Sequence, residues 1–204
     1  MKTCILAITL FITMAGVGQT AGLSEYKRYF DGDLRLWTSS FRGFGLSEFR
    51  QQDSVAFGKA VVKKIGELGK FLAVYKPLLT YTPDRTQFID LYSGQLSITK
   101  VGNHYEGNAD DGGEVFLCNQ KKGYWVGVGY NSPGGWMEEA VWVSDSKFVL
   151  AGISKNEKGQ NQPLVVVGDV VRGMLYRYVS MNKACVQTKG YQSPKLKRMN
   201  VRGI

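Results

Sequence analysis

Residues 138–152 read EEAVWVSDSKFVLAG, and residues 78–92 read LLTYTPDRTQFIDLY. Each stretch sets an aromatic (Trp142 or Tyr81) before a polar turn holding an Asp (Asp145 or Asp84). A Phe (Phe148 or Phe88) and an apolar run follow. Side chains alternate between faces along a strand, so this order reads as a hairpin with a polar tip. The turn carboxylate is placed to accept backbone N–H bonds. A further apolar strand follows each copy, QLSITKV at 95–101 and PLVVVGDV at 163–170. The chain thus carries two copies of one hairpin unit, with Tyr81 and Trp142 as its equivalent core aromatics.

Working outward, a period of two continues over most of the chain. Strands are expected at 78–82, 86–92, 95–101, 114–118, 124–130, 138–143, 147–153, 163–168 and 173–181. Between them lie Pro83-Asp84, Ser93-Gly94, Asp110-Asp111-Gly112-Gly113, Ser132-Pro133-Gly134-Gly135, Ser144-Asp145 and Gly168-Asp169, all turn chemistry. Strand follows strand with no helix between, so the sheets should be antiparallel. Residues 54–76 differ. Val61, Ile65, Leu68 and Leu72 form a helical stripe, Ser54 is placed to cap it and Pro77 to end it, although Gly58, Gly66 and Gly69 weaken it. Residues 22–46 scatter Tyr26, Tyr29, Phe30, Trp37, Phe41 and Phe44 among glycines and charges, and read as a loose segment laying aromatics on the body.

The hairpins resemble blades of β-propellers, and KPLLTYTPDRTQFIDLYS with EEAVWVSDSKFVLAG is also similar to uncharacterised exported proteins of Bacteroidetes-type bacteria. The resemblance covers roughly residues 70–181 and carries over no catalytic residue. Too few blades are present to close a ring. The expected fold is therefore mainly β: antiparallel sheets of blade-like hairpins, as an open blade stack or a sandwich, with one N-terminal amphipathic helix.

Residues 1–21 open with Lys2, continue with the apolar run 4–17 and end in small residues, the pattern of a secretory signal, with Gly18 and Ala21 both fitting as cleavage points. The run is shorter than the ~18 apolar residues of a membrane span, and no other stretch approaches that length. An exported chain of periplasm, envelope or extracellular space is expected, with a single β-rich domain over 22–188. Cys118 and Cys185 then remain as an even pair, expected to form a disulfide, two buried thiols being the alternative. The formal net charge is +9. Lys183, Lys189, Lys195, Lys197, Arg198 and Arg202 carry much of it with no acid among them, so the body is nearly neutral and a nucleic-acid partner is not indicated. Residues 189–204 read as a basic flexible tail suited to an anionic surface.

Chemistry-bearing residues are few. His104 is the single histidine, and no nucleophile motif or zinc ligand set accompanies it. The acidic turn NADDGGE at 108–114 lacks the spacing of a calcium loop. Glu138 and Glu139 are adjacent, and on a regular strand they point to opposite faces, which disfavours a shared substrate. In GYWVGVGYNSPGGW at 123–136, Trp125 stands beside bare glycines, leaving room for a packed helix or a flat ligand. Trp125, Tyr130 and Trp136 are the candidate ligand-binding residues. No metal or cofactor is implied. The leading expectation is a non-enzymatic envelope protein that binds a protein partner or glycan. A carbohydrate-binding module is second, and a carboxylate-dependent hydrolase third.

Overall fold

The computed structural model describes residues 22–62, 65–109, 113–131 and 135–203. The expected signal segment 1–21 and the carboxylates Asp110 and Asp111 lie outside these.

The chain begins with a 3-10 turn (Leu23–Tyr26) and two short helices, α1 (Lys27–Asp31) and α2 (Arg35–Thr38). Strands β1 (Phe41–Arg42), β2 (Phe49–Ala56) and β3 (Ala60–Val62) precede helix α3 (Ile65–Tyr75). Then come β4 (Thr80–Tyr81), β5 (Gln87–Asp90), β6 (Leu96–Val101), β7 (His104–Ala109), β8 (Gly113–Asn119) and β9 (Tyr124–Asn131). The meander β10 (Trp136–Ser144), β11 (Lys147–Lys155), β12 (Asn161–Asp169) and β13 (Met174–Ser180) follows. Strand β14 (Val186–Gln187), helix α4 (Pro194–Met199) and strand β15 (Val201–Arg202) complete the described chain.

Two five-stranded sheets dominate, in the orders β10-β11-β12-β13-β2 and β3-β9-β8-β5-β4. All their pairings are antiparallel, as the succession of strands requires. The sheets face each other across one core. From one side come Phe148, Leu150, Val166 and Leu175, and from the other Ile89, Leu117, Val126 and Val128. This is the sandwich that the size of the chain allowed. The alternate residues point outward and are also covered. Val149, Ala151, Val165 and Val167 meet Leu23, Phe30, Leu34 and Trp37 of the N-terminal helices. Phe88, Cys118 and Trp125 meet Leu68, Phe71 and Leu72 of α3. The molecule therefore has four layers, helix–sheet–sheet–helix. Burial of both faces explains the unbroken apolar runs FVLAGI at 148–153 and PLVVV at 163–167, which a sheet with one wet face does not need.

Close packing fixes individual residues. Gly168 lies directly across from Phe148. A Cβ on Gly168 would sit 2.0 Å from the Phe148 ring, so only glycine fits there. Two smaller sheets complete the fold, β1-β14 and β15-β7-β6. The contact of β15 with β7 is parallel, the exception to the antiparallel expectation. The outer edge of β6 is sealed by Tyr75 of α3. Its hydroxyl donates to the Leu96 carbonyl at 2.8 Å and accepts from the Ile98 N–H at 3.3 Å.

Three expectations need correction. The helix expected over 54–76 is present only as α3, because residues 54–56 finish β2 and 60–62 form β3. The intervening Gly58 donates its N–H to the Gly127 carbonyl at 2.9 Å, so the chain enters as an edge strand where the glycines had already weakened a helix. The eleven residues of α3 are too few to be stable alone, and packing of its apolar face holds it. The second correction is the tail. Ser193 caps α4, accepting from the Lys195 N–H at 3.2 Å, with Pro194 behind it. Leu196, Met199 and Val201 enter the central core. Enough apolar surface is buried to offset the entropy of ordering, and residues 189–203 are an integral part of the fold. Third, Cys118 and Cys185 are buried on opposite outer faces of the sandwich, so the expected disulfide is not formed.

The two hairpin copies are present. Tyr81 pairs directly with Phe88 and Trp142 with Phe148, with ring centroids 5.3 and 5.4 Å apart. They are not equivalent in depth. Trp142 and Phe148 fill the central core, whereas Tyr81 is half-buried in the outer cluster beneath α3. Asp84 caps its turn, accepting from the Thr86 N–H at 3.0 Å. In the other copy the Ser144 hydroxyl accepts from the Ser146 N–H at 3.3 Å, and Asp145 contributes its carbonyl, which accepts from Gln87 at 3.1 Å.

Candidate functional site

The three aromatic candidates separate. Trp125 is only 4% exposed. Phe71 of α3 packs edge-on against it at 4.9 Å, and Phe88 and Phe116 close the sides at 5.7 and 5.9 Å. The room beside Trp125 is taken by the protein's own helix, and Trp125 is a core residue. The Tyr130 side chain lies outside the described residues. Trp136, at the start of β10, is 39% exposed and forms a wall of a groove of about 460 Å³.

That groove is built from three segments. The first is the turn after β5. Asp90, fully buried, holds it by accepting from the N–H groups of Tyr92 and Ser93 at 3.2 and 3.0 Å. This turn places Tyr92 and Gln95, whose side chains donate to the carbonyls of Glu138 and Met137 at 3.1 and 3.3 Å. The second segment is the start of β10 itself. The third is the strap 188–193 running from β14 to α4, which contributes Tyr191, Gln192 and Ser193.

At β10 the pleat is broken. Met137 pairs with Gly152 and Glu139 with Ala151, which leaves Glu138 as an extra, bulged residue. The bulge turns both Glu138 and Glu139 to the outer face of the sheet, which overturns the expectation that they oppose each other. Glu138 Oε2 accepts from the Trp37 indole at 2.9 Å, and Oε1 from Gln187 Nε2 at 3.5 Å. Glu139, buried, accepts from the Tyr191 hydroxyl at 2.9 Å and from the Ser193 hydroxyl. Gln187 is held in turn by Asn161 at 2.8 Å.

Burial dominates the electrostatics. It raises the Glu138 carboxyl to about 7. The hydrogen bonds from Trp37 and Gln187 pull the other way, and the charge of Glu139 adds to the rise. The phenols of Tyr92 and Tyr191 are raised by burial and then by Glu139, so both remain donors at neutral pH. Burial lowers the Lys195 ammonium, against the attraction of Glu139, and its amine donates to the Thr80 hydroxyl.

The carboxylates therefore face protein donors. They tie the N-terminal helices, β10 and the strap together. His104 meets Glu106 at 3.4 Å on β7. Among the described residues no three His, Cys, Asp or Glu side chains gather as a metal would need. No described helix is long and apolar enough to cross a membrane. Sequence reasoning missed Tyr191 and Ser193 because they fell in the supposed tail. The signal was Ser193-Pro194 followed by Leu196 and Met199, a cap, an N1 proline and a helical apolar step. No protein-family model, curated protein or solved structure matches the chain, so the groove beside Trp136 has to be judged on its own chemistry.

Proposed function

We propose that the protein is a non-enzymatic binding module of the exported, envelope-associated kind and that a saccharide occupies the groove beside Trp136. The observation that carries this reading is Trp136: a large aromatic left partly open on a groove wall, in a groove that Tyr191 and Gln192 of the strap also line. A ring face of that kind stacks on the C–H face of a sugar, and hydroxyl and amide groups around it meet sugar hydroxyls. Turnover is disfavoured because Glu138 and Glu139 spend their lone pairs on Trp37, Gln187, Tyr191 and Ser193. The export assignment rests on residues 1–21.

A second contact is favoured by the folded basic segment. Lys197, Arg198 and Arg202 are exposed on α4 and β15, with no acid between 189 and 203. They form a fixed cationic face for an anionic envelope surface, with about 1 kcal/mol per basic residue near a charged membrane. The test is retention of the protein on immobilised polysaccharides and native envelope fractions. Wild type should be retained on a polysaccharide, and Trp136→Ala should weaken retention at least about tenfold at unchanged melting temperature. Equal retention of both proteins removes the groove from the reading. Release of product from a chromogenic glycoside panel overturns the non-enzymatic assignment.

A further inference from the structure

A strand at the edge of a sheet turns a row of N–H and C=O groups outward, and these need a partner or a cover. The edges of this fold are treated unequally. At β10 the side chains of Tyr92 and Gln95 donate to the Glu138 and Met137 carbonyls, and at β6 the Tyr75 hydroxyl does the sealing. Strand β2 ends the same sheet as β10 on its far side. Among the described residues it pairs with β13 and with no other strand. The Phe57 N–H, just past its end, donates to the Gly173 carbonyl on the β13 side at 2.8 Å. Alternation along the strand then turns the N–H groups of Ser54 and Ala56 outward.

Gln52 is a bulge, left between Gln51 opposite Tyr178 and Asp53 opposite Arg177. Beyond it Asp53 to Ala56 run in regular register, with Ser54, Val55 and Ala56 exposed. No Lys or Pro blunts this stretch, and its one charge is met within the sheet, where Asp53 faces Arg177 at 3.4 Å. Directly inside this edge the two sheets part. A cleft of about 270 Å³ is lined by Gln52 and Val55 of β2, by Leu164, Leu175 and Val179 of the same sheet and by Val128 of the facing one. Val55 lines it while 43% exposed, so the cleft opens at the edge. Two acceptors on β2, Gln51 Oε1 and Asp53 Oδ1, are buried without a hydrogen-bond partner, which folded proteins rarely leave.

We propose that β2 takes up an extended peptide segment of another protein, laid along Asp53 to Ala56 as a further strand of the sheet, with an apolar side chain entering the cleft. Backbone bonds to Ser54 and Ala56 hold the segment, and the cleft selects its side chains, every second one pointing inward. The occupant is therefore β-forming and carries uncharged aliphatic residues at alternate positions. A second copy of the chain fits poorly. Arg50 and Asp53 stand opposite Val179 and Arg177, on the cleft side of β2, so a copy of β2 would bring charge to an apolar cleft and a second bulge to the ladder.

The test uses short fluorescent peptides of Val and Ser, equal in length and composition. One alternates the two residues, one groups them in blocks, and one alternates them with the amides of one edge N-methylated. The alternating peptide should bind at least about tenfold more tightly than either of the others. It should also slow hydrogen exchange at the Ser54 and Ala56 amides. Ser54→Pro removes an outward N–H and leaves the β13 ladder intact, and Val179→Trp fills the cleft. Each should weaken binding at least about tenfold. No saturable binding of the alternating peptide up to about 1 mM overturns the proposal. Equal binding of the N-methylated peptide also overturns it, and that comparison needs no protein variant to fold. Self-association of wild type that Ser54→Pro abolishes overturns the peptide in favour of a second copy. Trp136 lines both this cleft and the groove, so it is left unchanged. Polysaccharide retention should be the same in wild type and Ser54→Pro, and loss of retention in that variant contradicts a separate peptide site.

Discussion

The indole N–H of Trp142 donates to the backbone carbonyl of Thr80 at 2.8 Å, joining the two copies of the hairpin. The bond crosses from one five-stranded sheet to the other, since Trp142 lies on β10 and Thr80 on β4. The unequal depth of the two aromatics then predicts unequal costs. Trp142→Ala should destabilise by about 3–5 kcal/mol and Trp142→Phe by about 1–3, the latter through the carbonyl left without its donor. Tyr81→Ala should cost about 1–2 kcal/mol, because its half-exposed ring loses one aromatic contact and partial burial. Urea denaturation of the three variants checks the order, and equal losses at Tyr81 and Trp142 contradict it.

Gly168 gives a sharper test of the central packing. Gly168→Ala introduces a methyl group into space held by the rigid Phe148 ring, and overpacking of this kind costs about 1–3 kcal/mol. Pairing it with Phe148→Leu should recover part of the loss, visible as a coupling energy in a double-mutant cycle.

Stability should depend on pH through Glu138. Its folded carboxyl titrates at about 7, above its ordinary value of 4.5. The folded state therefore holds a proton that the unfolded chain has released, and stability falls as pH rises between those values and levels off above them. Glu138→Gln removes this dependence. Denaturation midpoints for the variant and wild type should coincide near pH 4.5 and separate in favour of the variant at pH 8.

Deleting residues 189–203 should lower the melting temperature by roughly ten degrees or more. Leu196 and Met199 each represent about 2–5 kcal/mol of core packing, and about 1 kcal/mol moves the midpoint a few degrees in a protein of this size. A midpoint within two or three degrees of wild type means the segment is not part of the fold.

Mass spectrometry of the purified protein should give the same mass with and without reductant, and alkylation should reach Cys118 and Cys185 only after denaturation. Burial raises the Cys185 thiol, which slows its reaction further.

The strands from β4 to β13 were largely legible because periodicity and turn chemistry agree there, as at Phe88 and Phe148. Depth was not legible, since a local motif does not say which sheet its Tyr81 or Trp142 faces. The stripe Val61, Ile65, Leu68 and Leu72 misled because it spans the end of a strand and the start of a helix. Trp125 was visible as an aromatic with space beside it, but α3 fills that space. On a regular pleat Glu138 and Glu139 point to opposite faces, and the bulge that brings them to one face leaves no sequence signature in MEEAV. Ser193 and Tyr191 were hidden by charge: a run rich in lysine looked solvated although every apolar residue it holds beyond Pro194 is buried by 202.

Leu196, Met199 and Val201 close the same core as Leu78 and Ile89, across most of two intervening sheets of chain. Contacts so distant in sequence must pay loop-closure entropy before they return any stabilisation. Refolding should therefore be slow for a protein of this size, with the paired sheets forming first and waiting, their shared end open, until α4 docks. The rate of that last docking step, rather than of hairpin formation, then sets how long unsealed apolar surface is exposed to other molecules.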